Sequence, residues 1–373
     1  MDFELSDEQA MLRDATRGVL RDRAGIETVR AELGAVGGPH AERLWRLGAE
    51  LGWTGLALPE EHGGSEQGLA ELAIVAEEFG RAAARGAVVT SALVGTAVAR
   101  GGPAALRDEV LPGLAAGTTR ATWAFAESGR PWTLAGVTAT ARAEAGGYVL
   151  DGVKTLVEDA PAADLLLVTA LLDGVPTNFL VDAADVTVSP QTLLDLTRSF
   201  GTVRLDQVRV PAGRRLGGDA AGIQRLLDDA AVLASAEALG VMERLLEMTV
   251  SYTAVREQFG RPIGSFQAVK HGAADMAIAI QGSRAAVYQA AMAADAGVPG
   301  AATAASVAAS HVSAVLPKVA GEALQLHGGI GFTWEHDLHL YLRRAKADEV
   351  LQGDAAVHRE RLCALLGAVP QPA

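Results

Sequence analysis

Between Thr119 and Val210 the 373-residue chain changes its hydrophobic rhythm, and on both sides of that stretch the rhythm is helical. Up to about Gly117 apolar residues recur at helical spacing, opening with Met11, Leu12, Val19 and Leu20 behind a Ser6/Gln9 capping-box signature. The middle instead reads as short β-favouring runs: Ala121 to Ala126, Val137 to Ala143, Tyr148 to Val157, Leu165 to Leu171, Asn178 to Val181 and Val203 to Val210. Glycine, proline and aspartate separate them, which predicts a small antiparallel barrel or sandwich. From about Gly222 helical spacing returns, with Leu239, Met242, Leu246 and Val250 on one stripe. The expected fold is therefore α+β and multidomain: an N-terminal helical domain over 1–118, a β domain over 119–217 and a helical domain over 218–373.

Half the residues, 49%, are hydrophobic and the mean hydropathy is +0.19, enough apolar material for sizeable cores. The net charge of −13 would repel nucleic-acid phosphates, which points to small molecules or protein partners. A single cysteine, Cys363, excludes an internal disulfide and a thiolate metal cluster, and suits a reducing cytoplasm. The opening MDFELSDEQ lacks a basic, then apolar, secretory pattern. The longest uncharged run, Gly297 to Pro317, is too weakly hydrophobic for a membrane span and reads as a buried helix.

Two stretches carry chemistry. In Gln325 to Arg361 the glycines Gly328, Gly329 and Gly331 interrupt a helical pattern, and glycine is used where backbone must turn or approach a ligand. In Arg256 to Gln267, REQFGRPIGSFQ, a helix ends in the same manner. Together they resemble the acyl-CoA dehydrogenase family, flavoproteins that hold FAD at a subunit interface and oxidise an acyl thioester between its α and β carbons. The resemblance covers essentially the whole chain. It implies that Pro59 to Gly64 is a family loop of the helical domain. It also implies a C-terminal four-helix bundle, built from Ile223 to Phe259, Phe266 to Ala296, Ala302 to Leu326 and Asp337 to Leu366. Arg256, Gln258, Phe259, Gln267, Gln325, Gly328 and Gly329 would reach the pyrophosphate and adenosine of the neighbouring subunit's FAD, and Asp354 joins them as a cofactor candidate. A guanidinium fork and close backbone N–H groups suit phosphate oxygens.

The family's usual base, a glutamate, aligns with Gln352, whose amide does not take a proton from carbon at neutral pH. Its alternative position aligns with Ala230. The family's flavin-ring contacts also depart, to Ala126-Glu127-Ser128-Gly129 and Lys154-Thr155-Leu156-Val157-Glu158-Asp159. A Glu158 anion there would oppose the charge that builds on a reduced flavin. The catalytic base is thus unassigned, with Glu237 and Glu158 as candidate relocated acids, each set against an ordinary structural role. His327, His336, His339 and His358 form no metal signature, so no metal is assigned. Arg343, Arg344, Arg359 and Arg361 read as salt-bridging residues of the bundle.

Three readings follow from the resemblance. The first is a base-less subunit of a heteromeric enzyme acting on an acyl-CoA or acyl-carrier-protein thioester, paired with a catalytic chain and passing electrons to an acceptor such as electron-transferring flavoprotein. The second is a self-sufficient homo-oligomer with a relocated acid or different flavin chemistry. The third is a scaffold that binds no flavin.

Overall fold

The computed structural model describes residues 5–35, 38–217 and 220–367. Helix α1 (Asp7–Arg23) starts at the expected capping box: the Ser6 hydroxyl accepts from the Gln9 amide at 3.2 Å and the Gln9 side chain accepts from the Ser6 amide at 3.0 Å. It is followed by α2 (Ile26–Ala31), α3 (Pro39–Glu50), α4 (Leu69–Arg81), α5 (Val88–Gly101) and α6 (Ala104–Ala115). Helix α4 is apolar almost all round, as a helix buried on every side must be, and its only charged buried residues are Glu77 and Glu78. Both carboxylates are paired: Glu78 with Arg17 of α1, and Glu77 with Arg284 and the Tyr288 hydroxyl of the C-terminal domain.

Seven strands form one curled sheet: β1 (Ala121–Ala124), β2 (Thr140–Glu144), β3 (Gly147–Glu158), β4 (Leu165–Leu172), β5 (Val175–Asp182), β6 (Thr187–Gln191) and β7 (Phe200–Pro211). Their order is β1-β4-β2-β3-β7-β6, with β5 added on β4. Hairpin partners are antiparallel, while β1 and β2 each run parallel to β4, so the sheet is mixed. Strand β6, Thr187 to Gln191, lacks an apolar run because most of it faces solvent, and sequence pattern alone does not reveal it. Leu150, Leu166, Val168, Phe179 and Val203 make the sheet's own core. The other face, with Trp123 and Leu167, joins the helical core.

The C-terminal part contains α7 (Ala220–Val255), a two-residue-per-strand hairpin of β8 (Glu257–Gln258) and β9 (Arg261–Pro262), then α8 (Gln267–Asp295), α9 (Ala301–His327), α10 (Leu338–Asp348) and α11 (Ala355–Leu365). The expected continuous segment Asp337 to Leu366 is two helices. Gln352 at φ 62° and Gly353 at φ 97° take left-handed backbone that no α-helix tolerates, so the chain turns there. The helical domains meet where α4 crosses α7. A Cβ placed on Gly80 would lie 1.9 Å from the Glu237 carbonyl oxygen, and one on Gly240 would lie 1.8 Å from that of Glu77. The helices touch backbone to backbone, and Glu237 sits at the crossing. Among the described residues no helix is long and apolar enough to cross a membrane.

Candidate functional site

Sequence-distant positions converge on one cleft between the β domain and the two helical domains. Helix α7 contributes Ala230, Leu233 and Glu237, the end of β3 contributes Leu156 and Glu158, and the α10–α11 turn contributes Leu351 and Gln352. Ala230 and Gln352, the two positions expected to correspond to a family base, therefore line the same cavity. The Gln352 carbonyl oxygen of the side chain is buried without a partner. Val89, Leu93, Trp123, Trp132 and Phe200 supply the apolar wall. Trp123 is pinned: its ring N–H donates to the Thr169 hydroxyl at 2.9 Å, which donates to Asn178 at 2.6 Å.

The floor is a buried knot of charge. Arg198, on the segment between β6 and β7, lies 2.8 Å from Asp195, 3.1 Å from Glu237, 2.5 Å from Asp348 and 3.9 Å from Glu158. Arg344 of α10, 2% exposed, approaches Glu237 to 2.6 Å and donates to the Thr197 hydroxyl and the Ala84 carbonyl at 3.0 Å each. Four carboxyl groups thus face two guanidiniums. Burial pushes all four upward, but the two arginines more than offset it at Asp195 and Glu237, which stay below the usual carboxylate range. At Glu158 burial wins, with repulsion from Glu237 added, and its carboxyl is pushed up to about 8; Asp348 is pushed up to about 7 for the same reasons. Glu158 is sunk among protein atoms even though 27% of its side chain faces the cavity. The two guanidiniums thus hold Asp195 and Glu237 as anions, while burial disfavours ionisation of Glu158 and Asp348.

Burial pushes the Glu158 carboxyl up to about 8, which disfavours an anion beside a flavin. Glu237 is engaged by Arg198 and Arg344 together, as in the polar contact set against its catalytic role. Trp132, Asp195, Arg198 and Asp348 were not singled out from the sequence. The partners of Arg198 in Glu237 and Asp348 lie 39 and 150 residues away, and no local spacing announces such pairs.

Next to the cleft, the retained Glu127 and Lys154 form a buried ion pair at 2.7 Å. Glu127 also accepts from the Thr138 and Ala139 amides at 2.9 Å. Burial raises its carboxyl, and Lys154 with Thr138 brings it below the ordinary range; burial lowers the Lys154 ammonium. The pair braces the loop after β1 against β3.

The cross-subunit candidates lie elsewhere, at one end of the bundle. Tyr252, one turn before Arg256, stacks on His327 at 4.7 Å between ring centres, which brings the Arg256 stretch beside the Gly328–Gly329 stretch. Arg256, Gln258, Gln267, Gln325, Gly328 and Gly329 are all exposed, and Phe259 is 91% exposed at φ 54°. Nothing lies within 4 Å of where a Cβ would stand on Gly328 or Gly329, and Gly328 has φ 63°. The Gly328 N–H is donated to the Gln325 and Leu324 carbonyls, so what this end offers a pyrophosphate is an exposed guanidinium and a glycine surface that it can approach closely. Asp354 is placed apart from them: its carboxylate caps α11, accepting from the Ala356 and Val357 amides at 2.9 Å each. Among the described residues no group of three or more His, Cys, Asp or Glu is placed to hold a metal.

Comparison with known proteins gives the same outline. Residues 6–118 match the acyl-CoA dehydrogenase N-terminal domain and 220–366 the acyl-CoA dehydrogenase C-terminal domain. The chain is 34% identical to acyl-CoA dehydrogenase IpdE2 of Mycolicibacterium smegmatis, over 96% of this chain and 98% of that protein. Among solved structures it is similar to the ChsE4-ChsE5 complex from Mycobacterium tuberculosis, with TM-score 0.91, 30% identity and full coverage of both chains. A variant of the Tcur3481-Tcur3483 steroid ACAD gives TM-score 0.87 and 33% identity over 97% of this chain and 98% of that one. A match of this extent, in sequence and in all three parts of the fold, makes this chain a member of the acyl-CoA dehydrogenase family of FAD-binding oxidoreductases.

Proposed function

We propose that the chain is the base-less subunit of a heteromeric acyl-CoA dehydrogenase, serving α,β-dehydrogenation of an acyl thioester with FAD held across a subunit interface. The observation that carries this reading is the contrast at the two base positions: Ala230 and Gln352 line one cleft, and neither side chain accepts a proton from carbon. FAD, when bound, supplies the hydride acceptor. This chain's part is positional. Arg256 and the glycine surface at Gly328 and Gly329 hold the pyrophosphate and adenosine, while Gln258, Phe259, Gln267 and Gln325 shape the surrounding contact. The proton acceptor comes from a partner chain, and an electron-transferring flavoprotein reoxidises the cofactor. The likeness to one half of a two-chain complex supports the partnership.

The relocated-acid reading is the weaker one, since Glu237 is occupied by two arginines and Glu158 lies beside Arg198 in the same cluster. Co-expression with a neighbouring family member that carries an intact base glutamate tests the proposal. The pair is expected to copurify and to reduce flavin with an acyl-CoA, and the chain alone is expected not to. Full turnover by the chain alone would overturn it.

A further inference from the structure

Adjoining the cleft, and sharing Ala234, Asp348, Leu351 and Gln352 with it, is a second space of about 10 Å³ between α7, α9 and the α10–α11 turn. Its helical walls are small side chains, among them Ala231 and Ala238 of α7 and Ala309 of α9. Asp348, Gln352 and His358 line it too. Each carries one buried side-chain atom with no hydrogen-bond partner among the described residues: a carboxyl oxygen of Asp348, the side-chain oxygen of Gln352 and Nδ1 of His358. Asp348 is 9% exposed and His358 6%. Buried polar atoms are nearly always satisfied, by protein or by water, and cavities that stay dry are apolar ones.

The contacts already made by the three groups fix which of them donate. His358 Nε2 lies 3.1 Å from the Gln352 backbone carbonyl, which only accepts, so the ring proton is on Nε2 and Nδ1 offers a lone pair. Burial lowers the His358 imidazole and keeps it neutral. The Gln352 side-chain oxygen is an acceptor. One Asp348 oxygen takes the Arg198 guanidinium at 2.5 Å, and burial pushes the carboxyl up to about 7, so its other oxygen can carry a proton. Two acceptors and one O–H donor are the complement of a single water molecule, which donates twice and accepts once.

We infer that this space binds one water, which donates to His358 Nδ1 and to the Gln352 side-chain oxygen, accepts from Asp348, and so links the charge cluster beneath the cleft to helix α11. A water needs about 10–15 Å³, and a buried one usually makes about three hydrogen bonds. The water also positions Gln352. With its oxygen held, the amide turns its N–H2 group toward the cleft, which thereby gains a hydrogen-bond donor at that position. Gln352 sits at φ 62°, a strained conformation that persists where the surroundings hold it, and the water is part of that hold.

Crystallography of the purified chain, at a resolution that shows ordered water, is the test. Expected is one water within hydrogen-bond distance of Asp348, the Gln352 side chain and His358 Nδ1. No density at that point, or a direct contact of His358 with Asp348 or with the Gln352 side chain in its place, would overturn the inference. His358→Phe keeps a ring and removes the lone pair, and is expected to lose the water. Asp348→Asn keeps an oxygen for Arg198 and supplies an N–H donor, and is expected to retain it. Water lost from Asp348→Asn and kept in His358→Phe would equally overturn the inference. Nitrogen-15 spectra of histidine-labelled protein, with the His358 signal assigned by its disappearance in His358→Phe, give a reading that needs no crystal. A neutral ring with its proton on Nε2 is expected at neutral pH, and a proton on Nδ1 would rule the arrangement out. If neither variant folds, the wild-type density still decides.

Discussion

The two regions expected to meet the cofactor are built in opposite ways in this molecule. At the end of the bundle, Arg256, Gln258, Gln267 and Gln325 stand exposed beside Gly328 and Gly329, with the Gly328 N–H closing the end of α9. In the cleft, Arg198 and Arg344 pair with Asp195, Glu237 and Asp348, while one Asp348 oxygen and the Gln352 side-chain oxygen have no hydrogen-bond partner among the described residues. The difference bears on what burial demands of polar groups. Removing a ligand from a polar pocket leaves buried groups without partners, and each costs free energy until another partner is supplied. Here internal ion pairs supply it, while the surface half, being solvated, needs no such repair.

The largest expected effect breaks the cleft. Glu237→Ala would leave two buried guanidiniums short of their shared partner, a loss of about 3–5 kcal/mol for a broken buried pair. Urea unfolding measures it, and a loss under about 1 kcal/mol would mean that the knot is not what fills the cavity. Next comes the surface half. Arg256→Ala is expected to weaken FAD binding by the complex by about 1.5–3 kcal/mol, the range for a hydrogen bond to a charged group. It should leave unfolding within about 0.5 kcal/mol of wild type, as exposed substitutions usually do. Equal effects on both readouts would blur the distinction between the halves.

A pH experiment sharpens the account of the knot. Because folding raises the Glu158 carboxyl from 4.5 to about 8, its contribution to stability is fully present below 4.5 and is lost as pH climbs toward 8. Glu158→Gln does not ionise, so its stability relative to wild type should rise across that window and level off above it. Thermal melts at a series of pH values would show this, and a flat difference would mean that Glu158 is ionised throughout. The smallest effect concerns Asp354. Its replacement by alanine should cost about 1 kcal/mol, the usual loss of a helix cap. An equally large loss of FAD affinity would move it into the cofactor site.

Much of this could be read before folding. The Ser6–Gln9 cap, the β3 and β7 runs and the long helices are local patterns, set by neighbours within a few residues. Ala230 and Gln352 were picked out by spacing from recognisable motifs, and the structure brings them to one cleft. What was not legible is what surrounds them. The buried charge cluster depends on residues from β3, the β6–β7 segment, α7 and α10 meeting in space. Nor does a helical periodicity reveal the break at Gln352 and Gly353, which turns on backbone conformation.

The glycine contact between α4 and α7 has a consequence of its own. Because Gly80 and Gly240 let the two backbones meet with no side chain between them, neither helix has slack to rotate or slide past the other. Amide hydrogens of both should therefore exchange with solvent water together, at the rate of one shared opening event, although the helices lie in different domains by sequence. The segment boundaries drawn from hydrophobic rhythm would then not be boundaries of cooperativity. The N-terminal helices and the bundle would come apart as one unit.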